Sequence, residues 1–187
     1  MLVDVLTGVR ATCLRGDPLP SDLAVLWQAQ LRDDTELLDA FEFVLLEGIP
    51  HDELFGGFHE SDGVEPAAAA AFSRMTEQLC IVAEVLDGSL VGYWVGEEPR
   101  RAVAESPVVL IDGHGQFELC AMTLSEAMLQ WTDNEEPDDF EEVAAALKAL
   151  GCEVTVANHQ EVWEKVTGFD EPNSLVLGYL VEERLRR

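Results

Sequence analysis

The chain has 187 residues, of which 37 are acidic and 11 basic, giving a formal net charge of −26 at pH 7. This length suits one domain, or one domain with a small appendage, and with 48% apolar residues the chain can bury a full core without disulfides. The charge argues against direct binding of nucleic acid or of an anionic membrane surface, because both need Lys and Arg to neutralise phosphate.

Residues 1–20 are mixed in character. They do not read as a secretory signal: Asp4 stands where a basic residue belongs, and Thr7 and Gly8 interrupt the apolar stretch. Gly16-Asp17-Pro18 and Pro20 mark a turn, and Ser21 is placed to cap a following helix. Leu23, Leu26, Trp27 and Leu31 recur at helical spacing and predict a helix over 22–32. Leu37, Leu38, Phe41, Val44 and Leu45 predict a second over 35–47, ended by Gly48 and Pro50. Residues 50–66 read as loop. Pro66, the alanine run behind it, Phe72 and Met75 then predict a short helix, since alanine is the best helix former.

From residue 79 the pattern changes to that of a sheet. Leu79 to Leu86 is an almost continuous apolar run of strand length, and Leu90 to Val95 is a second run rich in aromatic and β-branched residues. The Asp87-Gly88 pair between them predicts a hairpin, because such turns need a residue at positive φ. Pro107 to Ile111 reads as a third strand. Asp112-Gly113-His114-Gly115 reads as a tight turn, and Gln116 to Ala121 as a fourth, half-buried strand. Thr123 or Ser125 caps a helix reaching Trp131, and a helix over 138–149 stops at Gly151. Residues 152–157 read as an edge strand and 159–166 as a short helix with Val162 and Trp163. The tail from Leu175 is apolar and ends in Arg184-Leu185-Arg186-Arg187.

Chemical signatures are sparse. Cys13, Cys80, Cys120 and Cys152 are dispersed, with no CxxC, and read as reduced thiols in a cytoplasmic protein. There is no GxSxG elbow, no phosphate-binding loop and no dinucleotide fingerprint. His51 and His59, with Asp52, Glu53 and Glu60, form the one mixed histidine and carboxylate cluster, and would be the ligands if a metal-dependent hydrolase were hidden here. Phe72, Tyr93, Trp94 and Phe117 read either as a ligand platform or, the commoner use of aromatics on a small sheet, as core between sheet and helices. The acidity has two readings: solubility, which composition alone favours, or steering of a basic protein partner.

The stretch 79–131 has an apolar strand, a Gly-turned hairpin onto Gly92-Tyr93-Trp94, a Pro-Val-Val-Leu-Ile strand and an Asp-Gly-x-Gly turn. It closes with the helix Thr123-Leu124-Ser125-Glu126-Ala127-Met128-Leu129. In this order it resembles the SUKH superfamily, which contains bacterial immunity proteins and fungal cell-wall-synthesis regulators. The opening helices lack the family's Leu-Pro and Asn-Gly punctuation, echoed only by Glu47-Gly48-Ile49-Pro50.

The resemblance implies an α+β fold: N-terminal helices, a central antiparallel four-stranded sheet and following helices. Residues 1–131 would form the SUKH-like domain, and 132–187 an acidic helical extension packed on it. The expected function is non-catalytic binding, as an immunity protein neutralising a basic, nuclease-type toxin in the cytoplasm without any cofactor. The alternatives are a general scaffold module or the His51/His59 hydrolase. The densest acidic patch, Asp133, Glu135, Glu136, Asp138, Asp139, Glu141 and Glu142, is the candidate partner-binding surface. Each of these residues singly also fits a solvated helix entrance.

Overall fold

The computed structural model describes residues 2–47, 65–85, 87–133 and 137–186. Three helical segments lead into the sheet. Helix α1 (Leu2–Thr12) arises in the stretch that showed no clear period, and it buries Val9 completely. Helix α2 (Ser21–Leu31) buries Leu23, Leu26 and Trp27, as their spacing predicts. It starts at Ser21 itself, with Pro20 in the capping position, so the expected Ser21 cap is not formed.

The helix expected over 35–47 is replaced by two elements, α3 (Glu36–Ala40) and β1 (Phe43–Leu45). The break falls at Glu42, whose φ of 52° lies in the left-handed region and turns the chain out of the helix. Beyond it, Phe43 and Leu45 point into the core while Val44 faces out, the two-residue period of a strand. A stripe of Leu37, Leu38, Phe41, Val44 and Leu45 therefore has two solutions, and tertiary pairing selects the second.

The rest follows in sequence order: α4 (Pro66–Thr76), β2 (Leu79–Val85), β3 (Leu90–Trp94), a 3-10 turn (Val103–Glu105), β4 (Val108–Ile111), β5 (Phe117–Ala121), α5 (Leu124–Gln130), α6 (Pro137–Leu150), α7 (His159–Val166) and α8 (Pro172–Arg186). The fold class is α+β as expected, but the antiparallel sheet has five strands, not four, in the order β1-β2-β3-β4-β5. The Asp87-Gly88 hairpin forms, with Gly88 at φ 83° and Ser89 N–H donating to the Asp87 carboxylate at 2.8 Å. Residues 152–157 are not a strand. Cys152 and Val156 are buried there, yet the segment makes no ladder, since β1 and β5 are the edges of the sheet.

Helices cover both faces of the sheet, which explains why β2 and β3 read as unbroken apolar runs. On one face Val82, Val91, Tyr93, Val108 and Cys120 meet residues of α1, α2, α5, α6 and α7, including Leu26, Trp27, Met128, Leu147 and Val162. On the other, Leu79, Ile81, Trp94, Ile111 and Phe117 meet Ala71 and Met75 of α4 and Tyr179 of α8. The aromatic group is thus core: Tyr93 faces one layer, Trp94 and Phe117 the other, and Phe72 lies 5.7 Å from Phe117, ring centre to ring centre. Helices from 137–186 supply residues to both cores, so they complete the sheet's packing. Among the described residues, no helix is long and apolar enough to cross a membrane.

Each edge strand is closed by one side-chain amide. Gln30 of α2 accepts from Leu45 N–H at 2.9 Å and donates to Leu45 C=O at 3.2 Å, on β1. Asn173 of α8 does the same for Phe117 on β5, accepting at 2.9 Å and donating at 2.7 Å. Unpaired edge groups template unwanted strand pairing, and these amides occupy one step of each edge.

Candidate functional site

The strand edge closed by Asn173 is also one wall of a groove of about 660 Å³. Leu110, Phe117 and Leu119 form the wall from β4 and β5, and Trp163 and Val166 of α7 form the opposite one. Thr167 and Phe169, in the link from α7 to α8, close one end. Three carboxylates, Asp112, Glu118 and Glu171, line the groove with Asn173.

Local chemistry fixes most of these groups. Asn158 caps α7 by accepting Glu161 N–H at 3.0 Å, which sets the helix's start and phase. Val162 then points into the core, Val166 is buried against the groove, and Trp163, one residue round the helix from Val162, falls beside the groove with 45% of its surface exposed. Asp112 accepts the N–H groups of His114 and Gln116, both at 2.8 Å, and so holds the β4–β5 turn. Glu171 accepts from Ser174 N–H at 2.7 Å and from the Asn173 amide at 3.1 Å. Glu118 is exposed on the strand. A large, rigid aromatic left half in water beside fixed negative charge is chemistry for docking, since Trp and its neighbours anchor interfaces.

The acidic patch read from the sequence lies elsewhere. Asp138, Asp139, Glu141 and Glu142 stand on the first two turns of α6, and Asp133 is exposed ahead of it. Glu135 and Glu136 fall outside the described residues, as do His51 and His59. Glu142 joins Asp34 and Glu36 at a second, shallower groove of about 430 Å³ between α3 and α6, floored by Leu37, Val143, Ala146 and Leu150. None of the patch's described residues lines the Trp163 groove.

Three of the cysteines and His159 are packed into the core or its margin. Burial pushes the Cys80 thiol up to about 11 and the Cys120 and Cys152 thiols up to about 12, so none is a thiolate near neutral pH. His159 packs edge-on against Phe140 at 4.9 Å, and its Nε2 lies 2.9 Å from Thr132 Oγ1. Among the described residues, no three His, Cys, Asp or Glu side chains are placed to hold a metal ion.

Sequence reasoning put Trp163 on the right helix but missed its exposure. The signal was the Val162–Val166 spacing, which fixes the buried stripe and leaves Trp163 beside it. No family model matches this chain, and neither a curated protein nor a solved structure is significantly similar to it.

Proposed function

We propose that this protein is a non-catalytic binding domain whose Trp163 groove docks a basic protein partner, in the manner of a cytoplasmic immunity protein neutralising a nuclease-type toxin. The half-exposed Trp163 in a groove lined by Asp112, Glu118 and Glu171 carries this reading. The charge of −26 supports it through rate: a strongly negative surface draws in a basic partner and would cover that partner's phosphate-binding surface. The likeness of 79–131 to SUKH domains supports it independently, because those domains act by association and not by catalysis.

The test is calorimetric titration of the purified product of the neighbouring gene into this chain at low salt, with its nuclease activity followed in parallel. A stoichiometric complex that suppresses the nuclease is expected. Trp163→Ala should weaken it by about 30-fold or more, the loss typical of a central Trp anchor. Absence of any complex removes the toxin reading, and a complex indifferent to Trp163→Ala removes the groove.

A further inference from the structure

A second, polar pocket of about 180 Å³ lies where α2, α5 and α7 converge. Asp22, in the first turn of α2, is 6% exposed and accepts Ser125 N–H at 3.1 Å. Thr123 Oγ1 caps α5 by accepting Glu126 N–H at 3.2 Å, which points the Glu126 side chain back along the helix start. Glu126 is only 3% exposed. Its Oε1 is ion-paired with the Lys165 ammonium, which also donates to Thr155 Oγ1 at 3.0 Å. Its Oε2 is buried and has no hydrogen-bond partner. Glu153 lines the same pocket.

Three carboxylates thus line a pocket that holds one ammonium, paired to Glu126 alone, and Glu126, the most buried of the three, has an oxygen without a donor. A buried acceptor left unpaired is costly, more so when charged, and the cost disappears when a donor arrives. The three carboxylates do not converge as a metal site would require. The missing group is therefore one that brings N–H donors and positive charge together. Lys165 supplies a single point charge from a side chain 37% exposed. A guanidinium is planar, offers paired N–H donors and matches the two oxygens of a carboxylate.

We propose that this pocket receives an arginine side chain, whose guanidinium donates to Glu126 Oε2 and takes over from Lys165. The inference rests on the reading that the partner is basic, and it names the residue type that the partner must present.

The probe is L-arginine amide, titrated into the full chain at constant ionic strength while the backbone amides of Ser125, Glu126 and Thr155 are followed by NMR. Saturable shifts confined to this pocket are expected, with millimolar affinity for so small a ligand. Glu126→Gln should abolish them, while Glu142→Gln, which removes the same charge on α6, should leave them intact. Lys165→Met should tighten binding about tenfold, because it removes the competing internal cation. An ion pair that only ties α7 to α5 predicts no such tightening. Shifts matched by sodium chloride alone, or lost equally in Glu142→Gln, overturn the proposal, as does weaker binding by Lys165→Met. The wild-type shift map decides the matter even if Glu126→Gln does not fold. Failure here leaves the Trp163 groove untouched, since that reading is tested with a protein partner and a different variant.

Discussion

Replacing Asn173 by alanine removes both hydrogen bonds that close the β5 edge, at 2.9 and 2.7 Å, and strands the N–H and C=O of Phe117. Phe117 is 2% exposed, but its backbone lies beside an open groove that water can enter. Two lost bonds at about 0.5–1.5 kcal/mol each, with partial rehydration, give a destabilisation of about 2 kcal/mol. Urea unfolding should show a lower midpoint with an unchanged slope, because the surface exposed on unfolding stays the same. Asn173→Asp is the sharper variant. It keeps the acceptor for Phe117 N–H but sets a carboxylate oxygen against Phe117 C=O, where a donor stood. The folded state then disfavours the charged form and raises the new carboxyl's pKa above its unfolded value, near 3.9. The loss relative to wild type is therefore full at pH 7 and shrinks as pH falls into that range, where protonation restores a donor. Wild-type stability at Asn173→Ala, or a pH-independent gap for Asn173→Asp, would refute the assignment of this amide as the edge clasp.

Gly92→Ala should cost about 1–3 kcal/mol by thermal unfolding, since its Cβ would lie 2.8 Å from Cys80 C=O and 3.0 Å from Ile81 Cα, both backbone atoms of the neighbouring strand. In the native protein Cys80, Cys120 and Cys152 should resist iodoacetamide at pH 8, as peptide mapping would show, and react fully in denaturant, because burial holds their thiols at about 11 to 12. The same raised values mean that stability is complete below the unfolded thiol pKa of 9.0 and falls as pH rises through the folded values. The slope should approach about 1.4 kcal/mol per pH unit for each thiol, read from urea midpoints between pH 9 and 11. Arg74, Arg100, Lys165, Arg184 and Arg186 are all ion-paired within the chain, which leaves most surface carboxylates without compensation. Raising sodium chloride from 0.01 to 0.5 M should accordingly increase the melting temperature by about 5 °C through screening of self-repulsion, and no increase would show that this repulsion is not a significant strain on the fold.

What the sequence made legible was the part written in local patterns. The strands β2 to β5 stood out because apolar runs were separated by Asp-Gly and Asp-Gly-x-Gly turns, whose positive-φ glycines the structure contains at Gly88 and Gly115. Helix α5 carried its cap in Thr123, and α6 its stop in Gly151. Strand β1 was hidden because its apolar residues also satisfy a helical period, and only pairing with β2 decides between the two. Helix α1 was hidden for want of a period. The site was hardest to see, since its defining contacts join residues far apart: Asn173 to Phe117 across 56 positions, Lys165 to Glu126 across 39. Charge density marked the start of α6 and nothing more, because a chain with 37 acids makes such clusters everywhere.

The order of the sheet has a kinetic consequence. Strands β2 to β5 pair each with the next in sequence, β2–β3 and β4–β5 through tight turns and β3–β4 through the longer 95–107 link, so every pairing is local compared with the closure of the terminal helices. The contacts of α4 with α8, which include Arg74 with Glu182 across 108 positions, close a far larger loop unless that ribbon has assembled first. On this ground the C-terminal helix is expected to dock late, so that weakening it should chiefly speed unfolding while weakening the ribbon should chiefly slow folding, as stopped-flow rates of variants on each would show.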